Sequence, residues 1–446
     1  MAGVESEVAV QQESESLGYA WYMVILCMIA YLFSFVDRQI VALLIEPIRA
    51  DLEITDTQFS LIHGLAFAIF YAVMGLPIAR LADTKSRPII IAVGIAVWSL
   101  ATAVCGTAKN FWQLFAARMG VGVGEAALSP AAYSMISDAF PKSKLGFALG
   151  VYSMGSFLGA GLAYIIGGVA IEMVARLGIV EIPIVGEVKP WQMTFFIVGL
   201  PGLLIALLFY FTVKEPERKG VVEGDEGYSI KEVFGYIGQN KGAFVAHYFG
   251  FGLLALVLFA IMSWAPAYFL RNYELSTREV GIYLGTIVLV CNVGGVLSSG
   301  WLIDAFTKRG RTDAPMLAGI VGGIGAILPA AAFSFMPSLN LTLVMLGIAL
   351  YFASFPMATS AAALQIMAPN RMRAQVTALF FLFMNLFGIT GGASLVALST
   401  DYLFRDEKLV GYSMGLVSCS AAIIAVLLMS RGLGAFRDTI NRLDNA

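Results

Sequence analysis

The chain has 446 residues, 59% hydrophobic and 13% charged, where soluble domains carry about 25% charged residues. With a mean hydropathy of +0.81, this excludes an ordinary soluble domain and points to a polytopic membrane protein. The net charge of -2, with no basic stripe, excludes nucleic-acid binding as the main task.

The first stretch, "MAGVESEVAVQQESESLG", is acidic and polar. It lacks the basic opening of a secretion signal, so residues 1–19 read as a disordered cytoplasmic tail. A helix crossing the bilayer needs about 20 mostly apolar residues. Six such runs follow, near 20–45, 57–81, 88–107, 111–139, 144–172 and 191–213 (spans one to six). They form an N-terminal six-helix bundle over 20–213. Residues 214–241 are charged and contain an amphipathic piece, "YSIKEVFGYIG", which reads as a cytoplasmic linker with a short surface helix. Six more runs, near 243–270, 278–303, 314–335, 339–366, 374–399 and 411–430 (spans seven to twelve), make a C-terminal bundle over 242–431. A cytoplasmic tail follows at 432–446. Of the 28 Lys and Arg, 18 fall on the side of the termini and 8 on the other, which favours both termini inside.

The four cysteines, Cys27, Cys105, Cys291 and Cys419, lie far apart in apolar runs without ligand spacing and read as packed thiols. Neither a metal nor a cofactor is expected. The two halves repeat: "ARLADTKSR" after span two corresponds to "GWLIDAFTKRGR" after span eight, and "PKSKLGFAL" after span four to "PNRMRAQVTAL" after span ten. A duplicated six-helix unit is a transporter architecture. The fold class is an all-α membrane protein of twelve transmembrane helices in two pseudo-symmetric bundles.

Those loops resemble the signature of the major facilitator superfamily, a Gly-x-Leu-x-Asp followed by basic residues. "GWLID" matches it well, while Ala79 and Ser86 stand where the first half should have glycines. Span four, "RMGVGVGEA", and the glycine-rich span five are also similar to that superfamily. The Asp-Arg of span one with "GVGEAALSPAAYSMISDAFP" resembles the spinster family, in a bacterial member. The resemblance implies alternating access and an inner-membrane location. It also implies a lysophospholipid or sphingolipid-type substrate, with spans one and four lining a central cavity.

Four strongly ionisable side chains lie inside the apolar runs, all in the first half: Asp37 and Arg38 in span one, Arg118 and Glu125 in span four. A charge at mid-bilayer is costly and marks a functional site by default. Arg118 and Glu125, two turns apart, share nearly one helix face. Asp37 reads either as an ion-pair lock with Arg118 or as a titrating group. Glu125 reads as the main protonation site, with Asp37 linked to it through the arginines. Arg38 and Arg118 either hold an anionic headgroup through their planar forks or serve as counter-charges to the two acids.

The resemblance makes Arg80, Asp83, Lys85 and Arg87 a cytoplasmic gate, with Asp304 the second-half copy; a solvated basic loop is the plainer alternative. His63 reads either as a buried, hydrogen-bonded histidine or, from its place in the outer half of span two, as a group able to carry a proton, and His247 as a buried, hydrogen-bonded histidine. The aromatic run of span eleven, with Phe380 and Asn385, reads either as lipid-facing packing or as a lining for a substrate's acyl chain. Few intramembrane Asn or Gln favour a lipid-like substrate over the rival, a proton-coupled symporter of small organic anions. An enzyme would need a nucleophile with its base or a metal cluster, and the two histidines have no such partners; a non-transporting receptor is the remaining alternative. The partners expected are an amphiphilic organic substrate, protons and the bilayer, with the chain acting as a monomer.

Overall fold

The computed structural model describes residues 2–183, 185–218, 230–369 and 372–444. Without water in the bilayer core, backbone polar groups must be satisfied within the segment, which selects helices. Eleven helices among the described residues are long and apolar enough to cross a membrane, beginning with Leu17–Leu43 and ending with Glu407–Leu443. The first helix as a whole runs Ala2–Leu43. The twelfth crossing is span four. It is formed by Phe111–Glu125 and Leu128–Ala139, and Arg118 and Glu125 within it lower its apolarity.

The split has a covalent cause. Pro130 has no N–H for the carbonyl of Ala126, and its ring crowds that carbonyl, so the helix turns at Ala126–Ala127 directly after Glu125. Span ten breaks at the corresponding place, between Leu339–Ala353 and Pro356–Met367, where Pro356 cannot donate to Phe352. The apolar runs predict one unbroken helix at each position, and the prolines break both. Wider π-helical turns interrupt span two at Leu61–Leu65, span eight at Val288–Asn292 and span eleven at Asn385–Thr390. Such bulges concentrate at functional sites. Between spans five and six a small antiparallel hairpin pairs β1 (Val180–Ile182) with β2 (Gly186–Val188), Val180 opposite Val188.

Contacts group the chain into two compact units. Unit 1 comprises Met1–Ile40, Ile69–Ala163 and Ala170–Glu223; unit 2 comprises Val41–Ala68, Tyr164–Val169 and Gly224–Ala446. Spans one, two and five therefore divide their length between the units. In unit 1, span three packs on spans four and six through glycines. A Cβ at Gly124 would lie 2.5 Å from the Trp98 nitrogen and 2.8 Å from the Gly94 oxygen. Span five closes on span one in the same way, a Cβ at Gly159 meeting the Leu32 oxygen at 2.5 Å. Small residues at helix crossings are how membrane helices gain van der Waals contact when lipid removes the hydrophobic drive between them.

In unit 2, Gly281 of span eight sits against the Tyr164 carbonyl, and the Tyr164 hydroxyl donates to the Met262 carbonyl at 2.5 Å. Gly64 of span two lies against Ile389 and Thr390 of span eleven, which brings two of the π-turns together. The linker's amphipathic piece forms the helix Ile230–Gln239. It buries Val233, exposes Phe234 and donates from the Tyr236 hydroxyl to the Met367 carbonyl at 2.7 Å.

Candidate functional site

Unit 1 gathers the four intramembrane charges. Ser34 and Arg38 are one helical turn apart on span one, so both face span four. Ser34 Oγ donates to Glu125 Oε2 at 2.6 Å, and Arg38 Nε donates to the same oxygen at 2.6 Å, with Nη2 2.5 Å away. Glu125 is buried, and its other oxygen, Oε1, has no protein donor. The Arg38 guanidinium lies 4.9 Å from the ring centre of Phe35 and 5.1 Å from that of Tyr71, a separation at which aromatic faces attract a cation.

Asp37 points elsewhere. Its Oδ2 accepts from Thr102 of span three at 3.2 Å, its Oδ1 has no protein donor, and Arg118 Nη1 donates to its main-chain carbonyl at 3.3 Å. Asp37, Arg118 and Glu125 are all buried. The site is thus two linked halves of opposite balance. Arg38 with Glu125 forms a tight ion pair, while Asp37 holds one hydroxyl donor at its carboxylate. Below Glu125, Tyr31 stacks on Tyr152 at 4.9 Å, and Tyr152 shares a hydrogen bond with Ser129 at 3.1 Å. The surroundings are aromatic with polar tips.

The other expected residues are not drawn into this cluster. Phe380 is buried against His247 and Tyr248, with ring centres 4.7 and 5.3 Å away. The Asn385 amide donates to Phe381 within its own helix at 2.9 Å. His247 Nε2 meets the Ser360 carbonyl at 2.9 Å, and His63 Nε2 meets Ser263 Oγ at 3.1 Å. Arg80, Lys85 and Asp304 are exposed, and the Asp83 side chain lies outside the described residues. Arg87 is fully buried inside unit 1. It donates to Glu215 at 2.7 Å, to Asp138 at 2.5 Å and to Ser134 at 2.7 Å, and so ties the start of span three to the ends of spans four and six.

Unit 2 holds a further buried charge network that sequence reasoning missed. Arg271, at the end of span seven, donates to both oxygens of Asp56 at 2.7 and 2.8 Å and to Glu46 at 2.7 Å. Arg49 Nε lies 2.9 Å from Asp56 at an angle too oblique for a hydrogen bond, and Arg49 Nη1 donates to Glu407 at 2.9 Å. Asp401 accepts from both the nitrogen and the hydroxyl of Thr57 at 2.7 and 2.6 Å. This network links the end of span one and the start of span two to spans seven and eleven. Each of these charges flanks an apolar run, where a solvated loop is the default reading. The available signal was Asp56 at the first position of a helix capped by Thr55, a place where an acid is stabilised.

The chain matches the model of the Major Facilitator Superfamily over residues 27–392. It is 28% identical over 401 residues to an MFS-type efflux pump of Mycolicibacterium smegmatis, covering 87% of this chain and 86% of that one. It is 26% identical over 326 residues to the protein spinster of Drosophila melanogaster, covering 71% of this chain but only 51% of that longer relative. Among solved structures it resembles a bacterial homologue of the human lysosomal transporter spinster in an inward-facing, unoccupied conformation. The TM-score is 0.77, with 26% identity and coverage of 95% and 98% of the two chains.

Proposed function

The chain belongs to the Major Facilitator Superfamily, as a spinster-like, multi-pass secondary transporter, and from that premise we propose that it moves an amphiphilic lipid-like anion coupled to protons. Its six-helix halves, 20–213 and 242–431, are the bodies that rock about the linker 214–241. Both termini face the cytoplasm, as the Lys and Arg distribution suggests, and the membrane is a bacterial inner membrane, as the family resemblance implies. The substrate class is a lysophospholipid or a sphingolipid-type molecule.

One observation carries this reading: the buried Arg38–Glu125 pair, in which Glu125 keeps Oε1 without a protein donor. The cluster of Asp37, Arg38, Arg118 and Glu125 sums to zero charge. A phosphate or carboxylate headgroup entering on Arg38 displaces Glu125. A bare carboxylate left buried is strongly unfavourable, so Glu125 takes a proton and the sum returns to zero. Substrate anion and proton therefore enter together. When Glu125 releases its proton it reclaims Arg38 and ejects the headgroup. The rings of Phe35 and Tyr71 keep the guanidinium in place through both states. Asp37 relays the second proton-accepting position, with Arg118 fixing its backbone. In unit 2, the Arg271–Asp56 network holds one face closed and opens when the halves rock.

The test is movement of a labelled lysophospholipid in sealed proteoliposomes under imposed pH gradients of either sign. The expected result is gradient-dependent movement by the unsubstituted protein that is lost in Glu125→Gln. Absence of movement under both gradients would remove the lipid assignment in favour of small organic anions. Movement indifferent to the gradient would remove the proton coupling.

A further inference from the structure

Asp37 is held at its carboxylate by a neutral group on a third helix. Thr102 lies in span three, is fully buried, and donates from Oγ1 to Asp37 Oδ2 at 3.2 Å. Its position is fixed from behind by span six. A Cβ added at Gly199 would lie 2.8 Å from the Ser99 oxygen, 2.9 Å from the Ala103 nitrogen and 3.0 Å from Thr102 Cβ. Gly202, one turn along, sits against the Ser99 side chain. The glycine face of span six thus lets span three pack at backbone distance behind Thr102, which sets where its side chain meets span one.

From this geometry we infer that Thr102 is a positioning residue for proton exchange at Asp37, set in place by Gly199. The inference rests on the proposed role of Asp37 in coupling. A hydroxyl is both donor and acceptor. When Asp37 is charged, Thr102 donates to it, as seen here. When Asp37 carries a proton, its O–H donates to Thr102 Oγ1, and the threonine proton turns to the carbonyl of Trp98 one turn back, a bond helical threonines commonly make. Both states are then hydrogen-bonded, and neither leaves a buried polar group unsatisfied. The proton is exchanged at Oδ1, which has no protein donor, while Oδ2 stays anchored.

The charged and titratable groups facing Asp37 are Arg118 and Glu125 from span four, Arg38 from its own span and the Cys105 thiol from span three. None of them changes when Thr102 is replaced. Replacing Thr102 removes its bond to the charged carboxylate and the weaker one it makes with the neutral acid, so the difference between the two should change the proton affinity by about tenfold.

The experiment is an infrared difference titration of the full-length protein in liposomes. It follows the carbonyl band of protonated carboxyls, with the Asp37 band identified by its loss in Asp37→Asn. Thr102→Val keeps the side-chain shape and removes both hydrogen-bonding roles. Its Asp37 band should persist to higher pH by about one unit, while the Glu125 band, identified by Glu125→Gln, stays where it was. Thr102→Ser should restore the original midpoint. Gly199→Ala should displace the same band, and it serves as the independent variant if Thr102→Val is not obtained folded. An Asp37 band with the same midpoint in Thr102→Val or Gly199→Ala would overturn the positioning role and leave the coupling role of Asp37 standing. If Asp37→Asn removed no titrating band, the coupling role of Asp37 would fail and this inference with it.

Discussion

Two of the chain's buried arginine–carboxylate networks, Arg271–Asp56 in unit 2 and Arg38–Glu125 in unit 1, are built to opposite specifications. In unit 2, Asp56 commits both oxygens to Arg271, and Arg271 reaches Glu46 and the Glu407 carbonyl as well. In unit 1, Arg38 holds one oxygen of Glu125, and the remaining oxygens Glu125 Oε1 and Asp37 Oδ1 have no protein donor. Burial makes both arrangements costly. A saturated network returns that cost as rigidity; a network with open acceptors can exchange a partner for a proton or an anion. On the proposed function, the first network holds and the second couples.

Four substitutions sharpen that contrast, the largest effect first. Glu125→Gln should abolish gradient-driven transport outright while the protein remains folded, because Ser34 and Arg38 still have an oxygen to bond; vesicle transport under a pH gradient reads this. Arg271→Gln removes the bidentate partner of buried Asp56 and leaves only Arg49 beside it, so thermal unfolding should reveal a loss of about 3 kcal/mol, the low end for breaking a buried pair, with the pH dependence of any remaining transport unchanged. Arg38→Lys keeps the charge but loses the planar fork, and the apparent substrate affinity should fall by about tenfold. Glu407→Gln touches a half-exposed member of the unit 2 network, its side chain 55% accessible, and should cost less than about 1 kcal/mol. If Arg271→Gln altered the pH profile as Glu125→Gln does, the division of labour between the networks would be lost.

Much of the fold was legible in the sequence because membrane helices are announced by length and apolarity alone. What the apolar runs could not give was rotation and breaks. Span four was read as continuous although Pro130 was visible, because no charge between Glu125 and Asp138 marks a break. The four intramembrane charges stood out as a cluster, but their pairing did not. The two-turn spacing tied Glu125 to Arg118 on one helix, whereas the ion pair it forms comes from Arg38 across the bundle. Ser34 and Thr102 escaped notice because hydroxyls are ordinary in membrane helices and carry no charge signal. Arg271 and Asp56 escaped for the reverse reason: charges at the ends of spans are so common that one buried pair among them does not stand out. Tyr71 was one aromatic residue among many, and only its ring position against Arg38 distinguishes it.

The most direct test of the coupling claim is proton movement driven by substrate. Proteoliposomes carrying an entrapped pH indicator, with equal pH on both sides, would receive a lysophospholipid below its micellar concentration, with protein-free vesicles as the blank. The account predicts a change of internal pH with the unsubstituted protein and with Glu407→Gln, and none with Glu125→Gln. An equal pH change in Glu125→Gln would contradict it.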